Sequence, residues 1–146
     1  VDDRVVELRD VMPTLLGCAG VPAPEVDGRD LRADIVTEAD AAEPPLHGEH
    51  VLLGQSMQWI RTGRWKYVWL SDAGHEQLFD LVADPQELHN LVGDPAADAD
   101  VGACREHLIA ALRGRPEGFV DGDALVPGRP LQMLLDEPHR AASASR

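Results

Sequence analysis

The chain has 146 residues, a formal net charge of −13, 44% hydrophobic residues and only 4% aromatic residues. That length suits one modest core, built here mainly from Val, Leu and Ala, and no apolar run approaches the roughly eighteen residues of a membrane span. The acidic balance repels nucleic-acid phosphates and anionic lipid surfaces, so neither a nucleic acid nor a membrane is an expected partner.

The start at Val1 reads as a processed product or a piece of a longer protein. No signal peptide is recognisable in it. The compartment stays open, with the bacterial cytoplasm as the working expectation. In chain order, "ELRDVMPTLLGCAGVPAP" places Asp10 at a helix start and Pro13 in the first turn, where both are tolerated. Val11, Leu15 and Cys18 recur at helical spacing. Gly20 then offers a stop, and Pro22 and Pro24 prevent continuation. This predicts a short helix over about 10–19. "EVDGRDLRADI" reads as a turn with a short amphipathic stretch, and the polar "VTEADAAEPPLHGEH" as a linker.

From His50 the period changes to that of strands, expected near 49–54, 57–62, 65–70 and 76–81, with turns at Thr62–Arg64 and Ser71–Gly74. In the third strand Trp65, Tyr67 and Trp69 point one way and Lys66, Val68 and Leu70 the other. Both faces are partly apolar, so a helix should cover one of them. In "DPQELHN", Asp84, Pro85 and Glu87 have the spacing of a capped turn. Residues 96–113 carry Val101, Cys104, Leu108, Ala111 and Leu112 on one face of an amphipathic helix, the natural cover for the sheet. The tail is punctuated by Gly and Pro; "LQMLL" reads as a short strand or docking segment. The fold class is α+β, a small antiparallel sheet of about four strands packed by a C-terminal helix.

A self-contained active site is not expected. There is no nucleophile elbow, phosphate loop, dinucleotide fingerprint or H-E-x-x-H motif. Cys18 and Cys104 lie on apolar helical stripes and read as buried free thiols, with a single disulfide between them left open. Asp2 and Asp3 lack the hydrophobic strand that would hold paired metal ligands. His47 and His50 read as solvated loop residues rather than a metal or anion site. Lys66 reads as a strand residue whose stem packs while its head reaches an acid, against a phosphate or sulfate contact. Trp59, Trp65 and Trp69 read as sheet core, against a stacking platform.

These segments together resemble the sulfatases of the alkaline phosphatase superfamily. "VELRDVMPTLLGCAGVPAPEVDGRDL" is similar to the D-x-x-P-T-L-L helix and D-G-x-x-L turn that end the family's large α/β domain. Arg61-Thr62, Lys66-Tyr67, Leu78 to Leu81, Asp84-Pro85, Glu87 and Asn90-Leu91 are similar, in order and spacing, to its R-T-x-x-x-K-Y, L-F-D-L and D-P-x-E-x-x-N-L run. The resemblance implies that residues 1–46 end the catalytic domain and link onward, that 47–115 form the C-terminal subdomain, and that 116–146 are an extended tail. The first helix then belongs to the edge of a catalytic α/β domain missing from this chain.

Family chemistry uses a formylglycine made within a C/S-x-P-S-R motif and a divalent metal, usually calcium. Cys18 is followed by Ala-Gly-Val and Cys104 by Arg-Glu-His, so neither matches that motif. No catalytic or metal-binding residue of the family maps here, and no cofactor is expected on this chain. The resemblance implies a structural role, sulfuric ester hydrolysis in the full protein, and no turnover by the chain alone. His50, Gln55, Trp59 and Arg61 are the candidates for lining the substrate entrance. Arg61 offers a bidentate anion contact, against a salt bridge to a nearby acid. The partner is the missing N-terminal catalytic domain, with a homo-oligomer as a further possibility. The alternatives are a phosphonate monoester or phosphodiester hydrolase, and a stand-alone assembly module without chemistry.

Overall fold

The computed structural model of the chain describes residues 5–32, 44–52 and 55–130. The chain divides into two compact units, Val1–Pro44 and Pro45–Arg146. Asp2, Asp3 and "LQMLL" lie outside the described residues.

In the first unit a 3-10 turn, Leu8–Asp10, runs into helix α1, Val11–Cys18. Asp10 is buried at the junction, and its carboxylate accepts the backbone N–H of Glu7 and of Arg29, each at 2.9 Å. Burial alone would raise its pKa; the Arg29 and Glu7 amides outweigh it and hold the group below its ordinary value. Thr14 Oγ1 donates to Asp10 O at 2.7 Å and accepts the N–H of Leu31 at 3.0 Å. Asp10 and Thr14 thus pin the later D-G-x-x-L turn to the helix start. The helix ends where Gly20 turns left-handed (φ 70°), so that Val21 N–H reaches Leu16 O at 2.9 Å. Cys18 is exposed, contrary to the expectation of a buried thiol, because α1 is too short and too lightly packed to cover it.

The second unit is an antiparallel meander of β1 (Leu46–Leu52), β2 (Gln55–Arg61), β3 (Trp65–Leu70) and β4 (His75–Asp80), in that spatial order. Helix α2 (Asp98–Leu112) covers one face. Ile60, Tyr67, Trp69 and Leu78 from the sheet meet Val101, Cys104, Leu108 and Leu112 from the helix. Each leucine buried there contributes about 1.5–3 kcal/mol. Ala111, expected on the covered face, is exposed, and Ile109 is buried instead. Cys104 is a free thiol, pushed up to about 11 by burial.

Phe119 completes the core edge-to-face against Trp69, ring centroids 5.5 Å apart. It leads into a two-residue hairpin, β5 (Val120–Asp121) and β6 (Ala124–Leu125), which the Gly and Pro pattern of the tail did not predict.

Polar ties lock these layers. Arg105 on α2 forks onto Glu76 of β4 at 2.7 and 2.6 Å, and Tyr67 O–H donates to the same carboxylate at 2.7 Å. Arg105 is the main reason Glu76 stays below its usual pKa range. Beside the helix, Arg115 bridges Glu49 and Glu117 at 2.8 and 2.7 Å. Buried Gln58 donates to Glu49 and Ser56 and meets His47 Nε2 at 2.8 Å. His47 is therefore part of a strand network rather than a solvated loop residue. The segment after β4 does not start a helix: Glu87 has a φ of 57°, and Asn90 Oδ1 instead accepts the N–H groups of Leu78 and Val92.

Candidate functional site

The face of the sheet turned away from α2 carries the site. In an antiparallel pair, directly opposed residues share a face. Gly48 opposes Trp59, His50 opposes Met57, Trp59 opposes Val68, Arg61 opposes Lys66, and Lys66 opposes Phe79. Strand alternation adds Gln55 to the same side. The four entrance candidates therefore lie on one face. The returning loop after β4 closes one end of it and leaves a concavity of about 750 Å³.

Val68 and Phe79 form the floor and are nearly fully buried. Trp59, Arg61, Lys66 and Glu87 stand around it. The three Trp therefore do not share one core: Trp69, with Trp65 against it, packs under the helix, whereas Trp59 lines the concavity on the other face. Its indole lies over Gly48, where an added Cβ would sit 1.9 Å from Trp59 Cζ2. His50 and Gln55 are exposed and do not line the concavity. Among the described residues Gln55 Nε2 makes one long contact, 3.5 Å, to Asp72.

Lys66 behaves as its strand position suggests: its stem lines the concavity and its ammonium meets Glu87 Oε2 at 2.5 Å. Arg61 does not. No salt bridge holds it among the described residues, and its Nη1 is buried without a hydrogen-bond partner there. Glu87 was read as a capping residue; its backbone N–H does bond Asp84 O at 3.0 Å, but its side chain crosses to Lys66. No pattern in the sequence shows this, since the pairing depends on how the loop after β4 folds back.

As for chemistry, no group of three or more His, Cys, Asp or Glu among the described residues could hold a metal ion. The two cysteines lack the formylglycine motif. What the site offers is an apolar floor, a ring and two cations. No helix among the described residues is long and apolar enough to cross a membrane.

No family model matches the chain. An arylsulfatase of Clostridium perfringens (strain 13 / Type A) is 40% identical over 136 residues, 92% of this chain and 28% of that protein. A choline-sulfatase of Rhizobium meliloti (strain 1021) is 40% identical over 96 residues, 62% of this chain and 18% of that protein. Among solved structures, a 2-O GAG sulfatase matches with a TM-score of 0.63 and 25% identity over 85% of this chain and 30% of its own. A phosphonate monoester hydrolase of Agrobacterium radiobacter matches with a TM-score of 0.53 and 27% identity over 69% of this chain and 23% of its own. The chain thus spans less than a third of the length of these relatives. The order of its motifs, the four-stranded meander under one helix and the likeness to arylsulfatases along nearly its whole length agree, and the chain belongs to the sulfatases, of which it forms a C-terminal portion.

Proposed function

We propose that this chain completes a sulfatase-type hydrolase, in which the whole protein hydrolyses a sulfuric ester and this portion is structural and borders the substrate entrance. The observation that carries this reading is the 40% identity to an arylsulfatase over 92% of the chain. The catalytic α/β domain is the partner. In that reading the catalytic domain would hold the formylglycine and the calcium, which would supply a nucleophile and a Lewis acid, and this chain would hold neither. This chain contributes His50, Gln55, Trp59 and Arg61 to the mouth, Trp59 and Arg61 within the concavity and the other two beside it. A phosphonate monoester hydrolase is the second reading, behind the first because that structural likeness is weaker and shorter.

A chimera tests this. The matching C-terminal portion of the Clostridium perfringens arylsulfatase is replaced by this chain, and aryl sulfate turnover is followed. The expected result is an active chimera, no turnover by the 146-residue chain alone, and a KM raised about tenfold by Arg61→Ala with a smaller change in kcat. Turnover by the chain alone, or an active chimera indifferent to both Arg61→Ala and Trp59→Ala, would overturn it.

A further inference from the structure

We propose that Arg61 and Lys66 form a clamp for the oxyanion head of a small organic anion, with Glu87 as a built-in competitor that the ligand displaces. The site shares Trp59 and Arg61 with the entrance described above and rests on that reading for its biological role.

Three independent features meet in one concavity. First, Arg61 and Lys66 are directly opposed across β2 and β3, where side chains stand about 5 Å apart. Like charges so placed repel each other unless an anion lies between them. Second, only Lys66 has such an anion, Glu87 at 2.5 Å, whereas Nη1 of Arg61 is buried and unpaired among the described residues. A buried N–H left without an acceptor is costly, and a ligand oxygen that the Arg61 side chain turns to meet removes that cost. Third, Glu87 holds its position with a left-handed backbone, φ 57°, which a residue with a Cβ adopts at a cost. Strain therefore sits on the residue that blocks half of the clamp.

The ligand class follows from the lining. Arg61, Lys66 and Glu87 leave one positive charge in a chain whose net charge is −13. A sulfate, phosphate or carboxylate head supplies oxygens to both cations, and the Arg fork suits such a group. Trp59 beside the head and Val68 and Phe79 beneath it call for an apolar or ring-bearing body on the same molecule.

Amide shifts of the 15N-labelled 146-residue chain are read while phenyl sulfate, phenyl phosphate, benzoate or inorganic sulfate is added, with sodium chloride at matched ionic strength as control. The expected result is saturable shifts centred on residues 59–61, 66 and 87, with one of the ring-bearing anions tighter than inorganic sulfate. Arg61→Gln should weaken binding about tenfold. Glu87→Gln frees Lys66 and should tighten it about threefold, a direction that a merely structural Glu87 does not produce. No saturation by about 100 mM of any anion, shifts equal to those in chloride, or weaker binding by Glu87→Gln would overturn the clamp. Inorganic sulfate binding as tightly as the ring-bearing anions would overturn the assignment to an organic ligand. Binding is read without turnover, so an inactive chimera leaves this result standing, and absent binding leaves the family reading standing.

Discussion

Asp80, buried at the end of β4, accepts Nε and Nη2 of Arg64 on Oδ2 at 3.1 and 2.7 Å and the N–H groups of Val82 and Ala83 on Oδ1 at 3.1 and 3.2 Å. It thereby fixes both the β2–β3 turn, where Arg64 also lies 4.5 Å over the Trp65 ring, and the exit of β4. Arg64 first, and then the two amides, hold the carboxyl at about 2, below its ordinary 3.8, against the opposing effect of burial. The sign follows from linkage. A folded-state pKa below the unfolded one stabilises the fold above pH 3.8, and this stability is lost as the pH falls toward about 2. Glu76 titrates in the same direction, so the wild type alone cannot assign the effect. Asp80→Asn can, since it removes the charge and keeps an oxygen for the amides. Urea midpoints at about pH 5 and about pH 2.5 should fall further for the wild type than for Asp80→Asn. Equal falls in the two proteins would show that Asp80 is not the titrating group.

β1 is the element held by the most specific contact. Gly48 lets the Trp59 indole lie across it, and Gly48→Ala must push that ring away, because the new Cβ would meet Cζ2 and Cε2 at 1.9 and 2.2 Å. The expected cost is about 1–3 kcal/mol by denaturant unfolding, with Trp fluorescence shifted as the indole moves into water. An unchanged midpoint and spectrum would mean that the ring does not rest there. This contact also explains what sequence could and could not reveal. β3, β4 and α2 fall within one or two residues of their expected spans, because alternation and the Val101, Cys104, Leu108 stripe carry them. β1 begins at Leu46, three residues early, because a polar stretch with two histidines and a glycine looks like linker until Trp59 and Gln58 are opposite it. Alternation puts Arg61 and Trp59 on one side, but not on the side away from the helix. The unpaired guanidinium and the left-handed Glu87 depend on a loop that returns from 21 residues beyond Lys66, and no local pattern encodes that return.

For the molecule as a whole, the two units differ in how well their apolar residues are covered. The sheet unit buries a continuous core, whereas the first unit leaves Leu8 at 92% and Leu15 at 63% exposure, with Val6, Val11 and Met12 also exposed. Pro13 is the one buried residue of α1. Single exposed apolar side chains are ordinary, but several on one short turn and helix make a patch of the kind that associates. In the sulfatase reading the catalytic domain covers it. Without that domain, the 146-residue chain should self-associate as its concentration rises in sedimentation velocity. Leu8→Glu with Leu15→Glu should abolish association while leaving the unfolding free energy of the sheet unit within about 0.5 kcal/mol of the wild type, since neither residue belongs to its core. A wild type that stays monomeric at all concentrations would show that the patch needs no cover. It would also favour a stand-alone module over a portion shaped to lean on a larger domain. Association that survives the double substitution would place the contact elsewhere, with the exposed Val51 and Val82 of the sheet unit the next residues to change.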